Sequence, residues 1–138
     1  MTKTQKKKDL HLCLNIIKDS LEKIIIIVKD NKLKTFDDFI DAWQIQGTIL
    51  LELQTVGENV KHIPQEVVNQ FKNIPLLNLR DMRHDLAHDY PGINLESAWE
   101  LIVQSPKLKK EFYKVADYMG VKMEDKMTIG LRRKLKGC

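Results

Sequence analysis

The chain is poor in the residues that punctuate or cross-link folds. Its 138 residues include six Gly, four Pro and two Cys. So little Gly and Pro excludes a collagen-like, linker-like or low-complexity chain. The two cysteines, Cys13 in an apolar stretch and Cys138 at the last position, make no disulfide framework. Cys13 reads as a small buried hydrophobe. Long apolar runs are missing as well. The longest is the five residues Ile24–Val28, too short to span a membrane. The basic start, Met1 to Lys8, is followed by no signal-peptide core and no small-residue cleavage site. These absences predict a cytoplasmic chain without a membrane partner. The length suits one domain able to bury a core without disulfide or metal staples.

Arginine is scarce too. There are 19 Lys and only four Arg, with Arg132 and Arg133 near the end and Arg80 and Arg83 in the middle. The formal net charge is +4, which on its face invites nucleic acid. Its distribution narrows that reading. Residues 1–8 carry four Lys and no acid, and residues 120–138 carry six basic against two acidic side chains. The stretch 9–119 is therefore −4. Three parts are expected: a flexible basic end over 1–8, a folded domain over 9–119 and a basic tail over 120–138.

Within 9–119 the apolar residues recur at helical spacing. Leu10, Leu14, Ile17, Leu21, Ile24, Ile25 and Val28 predict a helix over 9–29. Thr35 with Asp38 resembles a capping box, opening a long helix through Phe39, Trp43, Leu50, Leu53 and Val56 to about His62. Gly47 and Gly57 lie inside it, each a candidate close helix–helix contact. A short helix starts at Pro64 and carries Val67, Val68 and Phe71. Leu76–His88, Leu95–Val103 (capped by Asn94) and a last helix from Ser105-Pro106 to Gly120 follow. Phe39, Trp43, Trp99 and Phe112 fall at core spacing. No strand, repeat or linker is evident. The chain reads as all-α, an antiparallel bundle of about four main helices plus short ones.

Polar residues crowd in Arg80-Asp81-Met82-Arg83-His84-Asp85-Leu86-Ala87-His88-Asp89-Tyr90. The ordinary reading of such a run is a solvated helical face. Against it, the segment holds both mid-chain Arg and half of the four His, and it ends at a turn. Arg80, His84 and His88 share one stripe of an ideal helix. Two imidazoles one turn apart resemble part of a zinc-protease motif. That motif requires Glu in second position and a third ligand. His62 and Glu58 stand at no diagnostic spacing, and Arg80 and Arg83 would repel a dication. Phosphoryl chemistry on RNA fits better: Arg forks onto phosphate oxygens and His exchanges protons near neutral pH. Arg83 and His88 lie about 140° apart on a 3.6-residue helix, so one helix makes no tight site. Two such helices across a dimer axis would.

Arg83, four residues, His88, one residue and Tyr90 match the Arg-x4-His-x-Tyr motif of HepT-type toxins in the HEPN superfamily. Gly57-Glu58-Asn59-Val60-Lys61-His62-Ile63-Pro64, Pro91-Gly92-Ile93-Asn94-Leu95 with Trp99, and Leu108 onward resemble the family's flanking segments. The resemblance covers roughly residues 10–118. It implies an all-α, homodimeric, metal-independent endoribonuclease acting on RNA such as tRNA or mRNA. Arg83 and His88 would be the catalytic pair, and RNA cleavage would need no cofactor. Tyr90 resembles the hydroxyl that a partner nucleotidyltransferase antitoxin, MntA, AMPylates with ATP and Mg2+. The alternative is a catalytically inactive HEPN module that binds nucleotide or substrate for that partner. A purely structural helical dimer and a small zinc enzyme on His84 and His88 are further rivals. His84 departs from the Asn or Asp that commonly follows the motif Arg: it either assists proton transfer or marks a degraded site. Glu58 either supports Arg83 and lines the cleft or is a plain surface carboxylate. Arg80 either adds a phosphate contact or pairs with a helix neighbour.

Overall fold

Leu10, Leu14, Ile17, Leu21 and Ile24 are all buried on one helix, α1 (Lys3–Asp30). A computed structural model of the chain describes residues 3–88 and 94–123, and every regular element among them is a helix. After α1 come α2 (Phe36–Asp41), α3 (Trp43–Val60), α4 (Gln65–Gln70), α5 (Leu76–His88), α6 (Leu95–Val103) and α7 (Ser105–Met119). The expected all-α class holds, with α1, α3, α5 and α7 as the main helices. Helix α1 starts earlier than its apolar stripe suggests, running through the basic residues from Lys3.

Helix α1 packs against both α3 and α7, and α5 packs on α3. Flanked on two sides, α1 buries more than one stripe: Asn15, Lys18, Asp19 and Ser20 are also buried. Lys18 is only 1% exposed, with its Nζ 3.2 Å from Asp19 Oδ1. Two ion pairs cross the packed faces, Lys23 to Glu52 of α3 and Lys109 of α7 to Glu22. Phe39, Phe112, Ile49, Leu53 and Leu79 fill the core between them.

The helix ends explain the turns. Helix α1 stops in a Schellman-type turn, with Leu33 N–H donating to Val28 O at 3.0 Å and Lys32 N–H to Lys29 O at 3.1 Å. Lys32 holds φ 53°, the left-handed region normally given to Gly. A side chain there costs about 1–2 kcal/mol. Helix α7 ends the same way with the expected Gly120, at φ 67°. Val121 then folds back onto Ala116 O at 2.8 Å, and Val121 and Met123 are buried, so the core extends past Gly120. The remainder of the basic tail, 124–138, lies outside the described residues.

Thr35 caps α2 as expected: its Oγ1 accepts from Asp38 N–H at 3.1 Å, and Asp38 Oδ2 accepts from Thr35 N–H at 3.1 Å. The bonds from the Lys34 and Thr35 amides hold the Asp38 carboxyl below its usual range. The single long helix expected from Phe39 to His62 is interrupted. Ala42 leaves helical geometry (φ −85°, ψ 44°), and Gln46 Nε2 donates to the Phe39 carbonyl at 3.2 Å across the break. The break resets the helical phase. Phe39 stays buried and stacks on Trp99 with ring centroids 5.4 Å apart, whereas Trp43, expected in the core, is 72% exposed. Gly47 also departs from expectation, because a Cβ there would meet nothing within 4 Å.

Candidate functional site

Helix α5 turns Leu76, Leu79, Met82 and Leu86 inward. That register sets Arg83 one turn beyond Leu79, at the edge of the buried stripe and against α3. The residue opposite is Gly57. A Cβ on Gly57 would lie 2.6 Å from Arg83 Cβ and 2.6 Å from the Leu79 carbonyl oxygen. Of the two glycines in α3, Gly57 is therefore the one that permits a close approach. Only a residue without a side chain lets α5 pass this close.

The approach brings the next residue, Glu58, onto the arginine. Arg83 Nε donates to Glu58 Oε1 at 2.7 Å, with the side chains 29% and 40% exposed. The Arg83 hydrogen bond is the main reason the Glu58 carboxyl sits below the ordinary carboxylate range. Desolvation opposes it, while the charges of Arg83, Lys61 and His62 add to it. A half-exposed pair of this kind adds little to stability. What it does is orient. Bonding through Nε occupies one donor of the guanidinium and leaves its terminal amino groups able to fork onto phosphate oxygens.

The other candidates are placed as follows. Arg80 lies one turn before Arg83. Its Nε is buried without a hydrogen-bond partner among the described residues. His84 is exposed. His88 is the last residue of α5, and its side chain lies outside the described part of the structure. Tyr90 also lies outside the described residues. Helix α5 is uninterrupted from Arg83 to His88, so the wide angular separation expected on an ideal helix carries over to their backbone positions. Among the described residues, no three His, Cys, Asp or Glu side chains are grouped so as to hold a metal ion. Cys13, expected to be buried, is half-buried, and that partial burial, with Asp9 adding, raises its thiol above the ordinary value.

Arg83, Gly57 and Glu58 are thus joined into one unit. Sequence reasoning singled out all three but missed that Gly57 is what admits Arg83 to Glu58. The legible signal was the Gly-Glu step itself, a small residue directly preceding a carboxylate on a helix otherwise rich in large side chains.

Over most of its length the chain is similar to proteins named as ribonucleases. Residues 13–115, a span running from α1 through most of α7, match the family model described as "Ribonuclease HepT-like". Among curated relatives, "Putative RNase MJ0125" of Methanocaldococcus jannaschii is 32% identical over 110 residues, covering 79% of this chain and 92% of that protein. A "Gamma-glutamylcyclotransferase and putative RNase MJ0434" of the same organism is 31% identical over 124 residues, 89% of this chain. The match spans only about half, 54%, of that longer protein. "Probable ribonuclease HepT" of Thermococcus cleftensis is 28% identical over 100 residues, 72% of this chain and 91% of that protein. No solved structure matches. With an all-α fold, a braced motif arginine and a match across most of its length, this chain belongs to the HepT-like ribonuclease family of the HEPN superfamily.

Proposed function

We propose that the chain is a metal-independent endoribonuclease and the toxin of a HepT/MntA-type toxin–antitoxin pair, acting in the cytoplasm as a homodimer. The observation that carries this reading is Arg83 held by Glu58 at 2.7 Å beside Gly57. A permanently charged fork fixed at a helix–helix crossing is suited to a phosphate whose negative charge grows during reaction. In the reaction, a ribose 2′-oxygen attacks the adjacent phosphorus. The O2′–P bond forms and the P–O5′ bond breaks, leaving a 2′,3′-cyclic phosphate and a 5′-hydroxyl. His88 takes the 2′-OH proton or returns one to the departing O5′. Arg80, positive and one turn from Arg83, is a second phosphate contact, and His84 lies next to the pair as an accessory proton carrier.

The His88 and Arg83 positions point in different directions on α5, so the cleft is assembled from two copies across a twofold axis. RNA cleavage uses no cofactor. ATP and Mg2+ belong to the partner nucleotidyltransferase, which transfers AMP to Tyr90. The Tyr90 oxygen bonds to the α-phosphorus, and pyrophosphate leaves. The added nucleotide is bulky and negative, so it repels RNA phosphates from the cleft.

EDTA-treated protein is expected to cleave RNA, and His88→Ala is expected to abolish cleavage. Undiminished cutting by the mutant would remove His88 from the mechanism. RNA binding by the wild type without any cleavage would identify the inactive module instead. Mass spectrometry after incubation with the partner, ATP and Mg2+ is expected to place AMP on Tyr90, and modification confined to another residue would overturn that assignment.

A further inference from the structure

Away from Arg83, where α1 ends against α6 and α7, the surface opens into a cleft of about 410 Å3. That is within the roughly 300–1,000 Å3 of small-ligand pockets. Its walls are mostly apolar, including Ile25, Trp99 and Val103, and its charged lining is Lys29, Lys32 and Lys34. Among the described residues, no carboxylate lines it. Val103 is exposed although apolar, and the Trp99 indole is braced by its stack on Phe39. Lys32 occupies the left-handed turn that Gly would fill without strain. The chain thus accepts an unfavourable backbone state at the position that supplies a charge to the cleft rim. The left-handed helix stop thereby sets the Lys32 side chain on the cleft rim.

We propose that this cleft binds a nucleotide of single-stranded RNA, with the base against Trp99 and the apolar wall and the flanking phosphates on Lys29, Lys32 and Lys34. The site rests on the reading of the chain as an RNA-handling protein and lies apart from the Arg83–Glu58 site. Three lysines around a partly aromatic, partly aliphatic wall combine the two features that sequence-tolerant single-strand binding uses, base stacking and phosphate neutralisation. A peptide of acidic residues alone would satisfy the lysines and leave the apolar wall unfilled. Because 9–119 is −4, a local cluster of this kind is also what the acidic body needs to hold a strand while one of its phosphates reaches Arg83.

The test uses the full chain with His88→Ala to prevent cleavage and Trp43→Phe to leave Trp99 as the sole tryptophan. A short oligouridylate is expected to quench Trp99 fluorescence, with an affinity that falls as salt rises. Adding Lys29→Gln, Lys32→Gly and Lys34→Gln is expected to abolish the quench. It should also flatten the salt dependence measured by anisotropy, by about 0.7 in slope for each lysine that meets a phosphate. Lys32→Gly alone is expected to keep or raise Tm, since Gly takes the left-handed turn freely, so weakened binding in that variant is not unfolding. Unchanged affinity and slope in the triple variant would overturn the site, as would equal Trp99 quenching by poly-glutamate. Wild-type cleavage assayed in parallel separates the two readings. Lysine-dependent quenching without any cleavage sinks the ribonuclease and keeps the cleft. Cleavage without lysine-dependent quenching sinks the cleft and keeps the ribonuclease.

Discussion

Arg83 owes its position to a missing side chain on another helix. Gly57→Ala would set a methyl group 2.6 Å from the Leu79 carbonyl oxygen, which is backbone and has little room to yield. We expect overpacking to cost about 1–3 kcal/mol, read as a lowered urea midpoint, and to be accompanied by reduced RNA cleavage as Arg83 is displaced. Glu58→Gln separates orientation from stability. The half-exposed pair contributes less than about 1 kcal/mol, so the urea midpoint at neutral pH is expected to stay nearly constant while kcat falls. The pH dependence has a definite sign. The folded Glu58 carboxyl titrates below its ordinary value of 4.5. Its contribution is therefore present above that value and is lost as pH falls through the lowered one. Unfolding midpoints measured across the acid range should show this loss in the wild type and lack it in Glu58→Gln. An identical acid profile in both proteins would remove Glu58 as the group responsible.

Helix boundaries were legible wherever a cap or breaker declares them. Helix α5 from Leu76 after Pro75, α6 after Asn94 and the stop of α7 at Gly120 stand where the sequence places them. The Thr35–Asp38 box does too, and Thr35→Ala is expected to cost about 0.5–2 kcal/mol by removing an acceptor for the Asp38 amide. Thermal unfolding, with Trp99 fluorescence reporting its stack on Phe39, checks that outcome. The break at Ala42 was not legible. Ala is the best helix former, and the residues on either side continue an apolar pattern. At the interruption Gln46 Nε2 donates to the Phe39 carbonyl, and Phe39 stacks on Trp99. Trp43 therefore turned out exposed, although its spacing from Phe39 is that of a core residue.

As a whole, the molecule is an acidic body with basic features concentrated at particular places. That charge distribution favours a local cleft over binding along an extended backbone. A composite cleft also makes a prediction about assembly. On the proposed dimeric assembly, Arg83→Ala and His88→Ala proteins should each be inactive. Unfolding and refolding a mixture of the two is expected to restore cleavage, because a mixed dimer has one site with Arg83 from one chain and His88 from the other. Failure of the mixture to cleave, with mixed dimers verified by mass spectrometry, would place both residues of a working site in the same chain.

The sequence by itself determined the all-α class, most helix boundaries and the motif on α5, because periodicity, caps and breakers act through neighbours along the chain. It also singled out Gly57, Glu58 and Arg83 as residues of interest. Only the tertiary structure decided that these three form one unit, because a contact between α3 and α5 depends on how closely two backbones approach. It likewise decided that Trp43 faces outward and that Lys29, Lys32 and Lys34 rim a cleft with Trp99. Those outcomes follow from a reset helical phase and a left-handed turn, and neither leaves a periodic trace in the residues around it.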